Sequence, residues 1–285
     1  ETNGINIDDG GEVNSPTHHI TLSDLTVRDI SGRGNCDGIK ISGLQNFRIE
    51  SCRLKRWGSG GSGIDMVGCH DGLIFRCSFE HDEDSKGANG VQAKGGSRGV
   101  SIRRCRFKDA GGRAINLGGS TGADYFRPNN ARAEAANLQA EDCLFEGSLA
   151  PLAFVGVDGA MVRNNTILEP RRWIVRILQE NTAAHLARCR KGSFLRNFVV
   201  FRSSNLAKPV NIGSSTEPQT FCFTDNEWLC LDGHSPKDKL LPFPIPETGG
   251  IFLKKRSLNG FNASSIQQVT TNPGIGVRWW NAGRQ

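Results

Sequence analysis

The chain has 285 residues, 35 of them glycine, with 37% hydrophobic residues and a formal net charge of +6. No run of 18 apolar residues occurs, so the composition argues against a transmembrane helix. The basic residues are scattered and accompany no known nucleic-acid-binding motif, so the charge fits either a solvated surface or attraction to a polyanion better than it fits binding to nucleic acid.

A short strand with a period of two recurs along the chain, with the pattern apolar, variable, apolar, variable and often glycine. Its nine copies start at Ile5, Ile39, Ile64, Val91, Ile115, Leu152, Val175, Val210 and Ile251. The third positions are all apolar: Ile7, Ile41, Met66, Ala93, Leu117, Phe154, Ile177, Ile212 and Leu253. This column is therefore predicted to face a continuous interior.

A second column follows these strands and consists of Cys52, Cys77, Cys105, Cys143, Asn165, Asn197 and Asn226. Apolar residues stand three positions before and two positions after each member. Each coil is thus predicted to add at least two further inward-facing strands. A short constant core with insertions of variable length is typical of a solenoid, in which each repeat contacts only its neighbours.

With these columns the chain resembles a right-handed parallel β-helix of the pectin-lyase-like superfamily, over nearly its whole length. The resemblance implies an all-β, single-stranded solenoid of about nine coils with an internal asparagine ladder. That superfamily includes lyases, hydrolases, epimerases, esterases and tailspike adhesins, so it specifies the fold more than the activity. Four of the seven ladder positions are cysteine, and we interpret Cys52, Cys77, Cys105 and Cys143 as buried free thiols.

The C-terminal part departs from the repeat. A single domain is predicted over residues 1–285, with regular coils to residue 228 and a proline-rich excursion, a last strand and a cap over residues 229–285. The strand at Ile251 is expected to resume the first sheet, and the tail with Trp279 and Trp280 to cover the open end of the helix.

Outward positions of the first strands are the predicted location of a functional site. Polar residues gather there in the first five coils, and Ala153, Val155 and Leu178 then interrupt them. A solvated surface gives no reason for this sharp change. The sequence therefore predicts a localised site centred on Asp65, Gln92, Lys94 and Asn116, with Lys40 beside it.

Loops that flank the same face supply further candidates. Trp57 either stacks on a sugar or anchors its loop to the helix. The acidic stretch Asp82, Glu83 and Asp84 either holds Ca²⁺ or forms a solvated turn. In the insertion from Ser120 to Asn137, Tyr125 and Arg127 either contact substrate, with Arg127 pairing with a uronate carboxylate, or plug the flank of the helix.

The favoured reaction is β-elimination on an acidic polysaccharide. Lys94 and Arg113 are similar to the lysine and arginine that serve as base and acid in chondroitinase B and related alginate lyases. The resemblance implies Lys94 as base and Arg113 as acid or carboxylate stabiliser. We expect Asp65 to be either a metal ligand or an alternative acid. The substrate is expected to contact Lys40, Gln92, Asn116, Trp57, Tyr125 and Arg127.

Two other functions stay open. A glycoside hydrolase needs converging carboxylates, for which Asp65 and Asp8 are the candidates. A non-catalytic carbohydrate-binding β-helix predicts aromatic platforms without perturbed acids and bases. For all three functions we expect a monomeric protein in the extracellular or periplasmic space, with an acidic polysaccharide or oligosaccharide as its partner.

Overall fold

The structure is a computed structural model that describes residues 2–12, 14–32, 34–232, 244–253, 274–277 and 279. In this part the chain winds through three parallel sheets, with short 3₁₀ turns at Ala123–Tyr125, Ser203–Asn205 and Pro218–Thr220. Among the described residues, no helix has the length and apolar character needed to cross a membrane.

The first sheet has eight strands in sequential order, and it carries the candidate site. They are β1 (Ile5–Asp8), β4 (Ile39–Ser42), β7 (Ser62–Val67), β10 (Asn89–Lys94), β14 (Arg113–Gly118), β17 (Ala150–Val155), β20 (Val175–Leu178) and β23 (Val210–Ile212).

The second sheet has ten strands, and it follows the first along every coil. They are β2 (Thr21–Ser23), β5 (Arg48–Glu50), β8 (Leu73–Phe75), β11 (Ser97–Arg98), β12 (Ser101–Arg103), β15 (Ala135–Glu141), β18 (Val157–Arg163), β21 (Arg190–Leu195), β24 (Cys222–Thr224) and β26 (Glu247–Thr248).

The third sheet has nine strands and closes each coil. They are β3 (Thr26–Arg28), β6 (Arg53–Lys55), β9 (Ser78–Glu80), β13 (Arg106–Lys108), β16 (Leu144–Glu146), β19 (Thr166–Leu168), β22 (Phe198–Phe201), β25 (Glu227–Cys230) and β27 (Ile251–Leu253).

Every strand pairs in parallel with the corresponding strand of the next coil, which confirms the predicted right-handed parallel β-helix. Within the described residues, eight coils contribute to all three sheets, and β26 and β27 add a partial ninth coil. The strand at Ile251 is the exception to the predicted register. It pairs with β25, with Phe252 opposite Trp228, so it belongs to the third sheet and not to the first.

The predicted inward columns form the core. Ile41, Met66, Ala93, Leu117 and Phe154 are all at most 2% exposed. In the third sheet, Phe79, Phe107 and Phe145 stack face to face, with neighbouring ring centroids 4.7 and 4.9 Å apart. The repeat aligns identical side chains in successive coils because parallel in-register strands are stacked one strand spacing apart.

The cysteine and asparagine column lies between the second and third sheets. Oδ1 of Asn197 accepts hydrogen bonds from the backbone N–H and from Nδ2 of Asn165, both at 3.0 Å. Asn226 does the same for Asn197, and the Glu247 carboxylate accepts from Asn226 at the end of the ladder. The four cysteines continue the column as free, buried thiols, as predicted.

The described part of the C-terminal tail lies on the flank of the helix. Ile275, Val277 and Trp279 pack on apolar residues of the third sheet's outer face, and Trp279 Nε1 donates a 2.6 Å hydrogen bond to the backbone carbonyl of Asp142. Trp279 therefore covers an outward apolar surface of the third sheet, and the covering of the open end by the tail stays a prediction. Trp280 and most of the predicted proline-rich excursion lie outside the described residues.

Candidate functional site

Small residues at the start of the first-sheet strands determine which side chains reach the outer face. They are Gly38, Gly63, Gly90 and Ala114. A Cβ on Gly63 would meet Phe79 Cδ1 at 2.9 Å, and one on Gly90 would meet Phe107 Cδ1 at 3.1 Å, so both positions face the interior. Ile64 and Val91, which follow these glycines, are also completely buried. Two consecutive inward positions break the alternation of the strand.

As a result, the residue before each of these small residues, Gly38, Gly63, Gly90 and Ala114, returns to the outer face. Asp37, Ser62, Asn89 and Arg113 occupy this position in successive coils, and Asn89 pairs with both Ser62 and Arg113. They stand beside the outward residues Lys40, Asp65, Gln92 and Asn116, which are likewise in register. The outer face therefore has two adjacent polar columns rather than one.

Four charged side chains converge at the N-terminal half of this face. Lys40 Nζ forms an ion pair with Asp65 Oδ2 and lies 3.8 Å from Asp37 Oδ2. Lys94 Nζ lies 3.5 Å from Asp65 Oδ1. The side chains of Asp37 and Asp65 are only 3% and 4% exposed, whereas those of Lys40 and Lys94 are 23% and 17% exposed. Two buried carboxyl groups thus share the Lys40 ammonium.

The two carboxyl groups differ in environment. Burial, followed by the charge of Asp65, raises the pKa of Asp37 from 3.8 to about 6, although the Ser62 backbone N–H donates a 2.6 Å hydrogen bond to Asp37 Oδ1. Burial alone would lower the pKa of Lys40, but the charge of Asp65 and its hydrogen bond more than offset this effect and raise it. Asp37 can therefore carry a proton near pH 6, while Asp65 lies between two ammonium groups.

Uncharged polar groups extend the site into the next two coils. Gln92 Oε1 lies 3.4 Å from both Ser62 Oγ and Asn89 Nδ2. Asn116 is 1% exposed, and its Nδ2 has no hydrogen-bond partner within the described ranges. Asp65 Oδ1 accepts no hydrogen bond there either. Buried polar atoms without partners are costly, and at a functional site they are commonly satisfied by a ligand.

Residues 119–134 form the site loop, which rises beside Lys94 and Gln92. Its end is fixed by the completely buried Glu134, whose carboxylate accepts hydrogen bonds from the backbone N–H groups of Gly95 and Thr121, at 3.1 and 2.9 Å. Asn181 Nδ2 donates to the same carboxylate at 2.7 Å. This bonding attaches the loop to the first sheet and to the segment after β20.

The apolar outward residues that interrupt the polar column are buried. Ala153, Val155 and Leu178 form a small cluster of their own, at most 8% exposed. Backbone hydrogen bonds connect the two neighbouring insertions, since the Ala187 N–H donates to the Arg132 carbonyl at 2.6 Å. The polar outward column is therefore interrupted at the sixth coil.

The structure brings together six of the predicted site residues on one face: Lys40, Asp65, Gln92, Lys94, Arg113 and Asn116. Arg113 forms an ion pair with Glu180, and its Nη1 donates to Asn116 Oδ1 at 3.3 Å. Asp37 was not predicted, because the strict alternation of outward positions passes over it. The polar residues two positions before Ile39, Ile64, Val91 and Ile115 are the sequence signal that would have found it.

Other predicted contacts are replaced by structural roles. Trp57 is 3% exposed in the core, so it anchors its loop and cannot stack on a sugar. Arg127 forms a bidentate ion pair with Asp9, with Nε to Oδ2 at 2.7 Å and Nη2 to Oδ1 at 3.3 Å. This pair connects the site loop to the first coil, so the guanidinium is not presented to a uronate. Tyr125 is 66% exposed on the same loop.

The acidic stretch that was predicted either to hold Ca²⁺ or to form a solvated turn lies at the surface. Asp82, Glu83 and Asp84 are exposed, and Glu83 Oε1 forms a 3.2 Å ion pair with Arg171 Nη2. Within the described ranges, no group of three or more His, Cys, Asp or Glu residues is arranged to hold a metal ion.

The model of a protein family described as the right handed beta helix region matches residues 3–169, and the chain belongs to this family. One similar solved structure is a glycoside hydrolase, with 11% identity, a TM-score of 0.46 and coverage of 78% of this chain and 50% of that one. Another is PfbA, a surface adhesin of Streptococcus pneumoniae, with 11% identity, a TM-score of 0.45 and coverage of 87% and 75%. This chain thus spans half the length of the glycoside hydrolase. No curated protein matches the sequence.

Proposed function

We propose that the protein hydrolyses a glycosidic bond of a polysaccharide bound along the outer face of the first sheet. The observation that carries the proposal is the pair of buried carboxyl groups, Asp37 and Asp65, in unequal electrostatic environments. Glycoside hydrolysis needs one carboxylic acid that holds a proton and one carboxylate that does not. This role would place the protein outside the cytoplasm, in the extracellular or periplasmic space.

In the proposed reaction, Asp37 is the general acid. Its carboxyl group donates a proton to the glycosidic oxygen as the bond to the anomeric carbon breaks. The Asp65 carboxylate, positioned by Lys40 and Lys94, supports the developing positive charge on the sugar and acts as nucleophile or as the base for water. Asn116 Nδ2 and the Gln92 amide provide hydrogen bonds to sugar hydroxyls.

Elimination at a uronic acid is the second candidate, because Lys94 reaches the same face and Arg113 lies on the adjacent strand. In this reaction Lys94 removes the proton next to the carboxylate, and Arg113 stabilises the charge that builds there. Lys94 Nζ lies 3.5 Å from Asp65 Oδ1, so this ion pair occupies the group that would have to remove the proton. The geometry therefore supports hydrolysis better.

The test incubates the protein with neutral and acidic polysaccharides near pH 6, and measures new reducing ends together with the ultraviolet absorbance of unsaturated sugars. Hydrolysis gives reducing ends without that absorbance, and elimination gives both. Asp37→Asn and Asp65→Asn should each abolish hydrolysis, while Asp124→Asn, an exposed acid on the site loop, should leave it unchanged. Binding without any cleavage would contradict both reactions and favour a carbohydrate-binding module.

A further inference from the structure

A pocket of about 220 Å³ opens on the same face as the carboxyl cluster, farther along the helix. Its walls include Lys86 and Asn89 from one coil, Arg113 from the next, and Trp173 and Arg176 from β20 and the segment before it. Asn89 Nδ2 also contacts Gln92, so this pocket is continuous with the polar floor of the site.

The basic side chains that line the pocket outnumber the acidic side chains that form ion pairs with them in the described structure. Arg113 is paired with Glu180, but Lys86 and Arg176 form no ion pair with any described residue. Arg176 is only partly exposed, and its Nε donates to the neutral Asn211 Oδ1 at 3.1 Å. Burial, followed by the charge of Arg113, lowers the pKa of Arg176, although the charge of Glu180 acts in the opposite direction.

The aromatic ring of the pocket is not arranged as a platform for a neutral sugar. The Arg176 and Arg172 guanidinium carbons lie 4.3 and 4.5 Å from the centroid of the Trp173 ring. These contacts occupy the ring with cations. Trp173 Nε1 is buried and has no hydrogen-bond partner in the part of the chain that the structure describes. An indole N–H and guanidinium groups are all donors, so the missing partner is an acceptor.

We infer that this pocket is an anion subsite that binds a carboxylate or sulfate substituent of the polysaccharide. The inference rests on the proposed function and adds the class of substrate to it. An anion there would neutralise Arg176 and Lys86 and accept hydrogen bonds from donors that lack partners, which neutral hydroxyl groups cannot do as well.

The subsite is displaced from the site of bond cleavage. Arg113 is two strands beyond Asp65 in the first sheet, and Arg176 is two strands farther. At about 4.8 Å per strand, the pocket is centred roughly 10–15 Å from the carboxyl pair. The charged substituent therefore belongs to a different sugar unit from the one that is cleaved, and the pocket sets the register of the chain in the groove.

The experiment measures binding by calorimetry, using the Asp37→Asn variant so that no probe is cleaved. The probes are trigalacturonate, its neutral methyl ester, a sulfated neutral trisaccharide and the unsulfated parent. Arg176→Gln is the test substitution, and Arg53→Gln is the control, since Arg53 is an exposed arginine on the third sheet.

We expect a charged probe to bind about 10- to 100-fold more tightly than its neutral counterpart, and Arg176→Gln to remove this preference without changing the affinity for the neutral probe. A preference for trigalacturonate assigns a carboxylate, and a preference for the sulfated probe assigns a sulfate. Equal affinity for charged and neutral probes, an unchanged preference in Arg176→Gln, or no binding of any probe would overturn the subsite. Charge-dependent binding in a protein that cleaves no polysaccharide would uphold the subsite and refute the hydrolase.

Discussion

The raised pKa of Asp37 predicts a specific dependence of stability on pH. The native state holds the Asp37 proton up to about pH 6, whereas the unfolded chain releases it near 3.8. Between these values the native state binds more protons, so its stability falls as the pH rises. The contribution of this group is fully present below about pH 3.8 and is lost as the pH passes through about 6.

The magnitude follows from the same two values. Their difference is about two pH units, and each unit corresponds to about 1.4 kcal/mol, so the buried carboxyl group contributes at most about 3 kcal/mol to the change in unfolding free energy. The Asp37→Asn variant keeps the shape and the oxygen that accepts from the Ser62 N–H, but it cannot ionise. Relative to the wild type, this variant should therefore become more stable with rising pH, by about 2–3 kcal/mol in total.

The assay is urea unfolding of both proteins, followed by tryptophan fluorescence, at several values between about pH 4 and pH 7. Because the two proteins are compared at each pH, the contributions to the unfolding free energy from titrating groups that do not contact Asp37 cancel. If the difference in unfolding free energy stayed constant over this range, Asp37 would have an ordinary pKa and the proposed general acid would lose its physical basis. The rate of hydrolysis should fall above about pH 6 for the same reason.

Four further substitutions, one of them a control, test the scaffold. Asn197→Ala removes four ladder hydrogen bonds, at 3.0, 3.0, 3.1 and 3.0 Å. It should lower the unfolding free energy, measured by urea titration, by about 3–5 kcal/mol. A loss under about 1 kcal/mol would show that water replaces the amide. Glu134→Gln places an amide against donors and should make the site loop more sensitive to limited proteolysis, with unchanged cleavage counting against the anchoring role. Trp57→Ala should reduce the unfolding free energy by about 3–5 kcal/mol and so lower the melting temperature. Tyr125→Ala, at an exposed residue, should leave the melting temperature nearly unchanged. Equal effects of the two substitutions would place Trp57 at the surface.

The fold could be predicted from the sequence because a solenoid imposes the same demand on every coil. A residue such as Met66 has its neighbours in the coils before and after, so burial forces an apolar residue at each equivalent position. The ladder is equally visible, since Asn197 bonds to the positions one coil away in both directions. Stacking of parallel strands converts local patterns into long-range contacts, and only regular repeats allow this.

The sequence predicted the site residues that follow the strand alternation and missed the one that does not. Lys40, Asp65, Gln92 and Asn116 follow the alternation of their strands, so their shared face could be read from spacing. Asp37 does not follow it, because Gly38 faces inward directly before the inward Ile39: a Cβ on Gly38 would lie 3.3 Å from Leu54 Cδ1. Without a side chain at this position, the strand can take two inward steps, and the preceding residue reaches the outer face.

The loop residues were the least predictable, since their contacts join distant coils. Arg127 is separated from Asp9 by 118 positions, and nothing in the sequence around either residue indicates that they pair. The assignment of the strand at Ile251 to the first sheet was wrong for a similar reason. The pattern at Ile251 fits either sheet, and the length of chain before it does not say which one it joins.

A site built from adjacent strands of one sheet has its electrostatics fixed by the register. Lys40 and Asp65 are direct neighbours across strands, so their charged groups lie within ion-pair distance, and the neutral Gln92 follows in the same register. Asp37 joins them from the next column. A shift of one residue in any of these strands would turn its charged side chain into the core, which the buried apolar columns forbid. The packing of Ile41, Met66 and Ala93 inside the helix therefore holds the acid, the carboxylate and the two lysines at constant separation. The same core that stabilises the coil maintains the difference between the two carboxyl groups on which the proposed reaction depends.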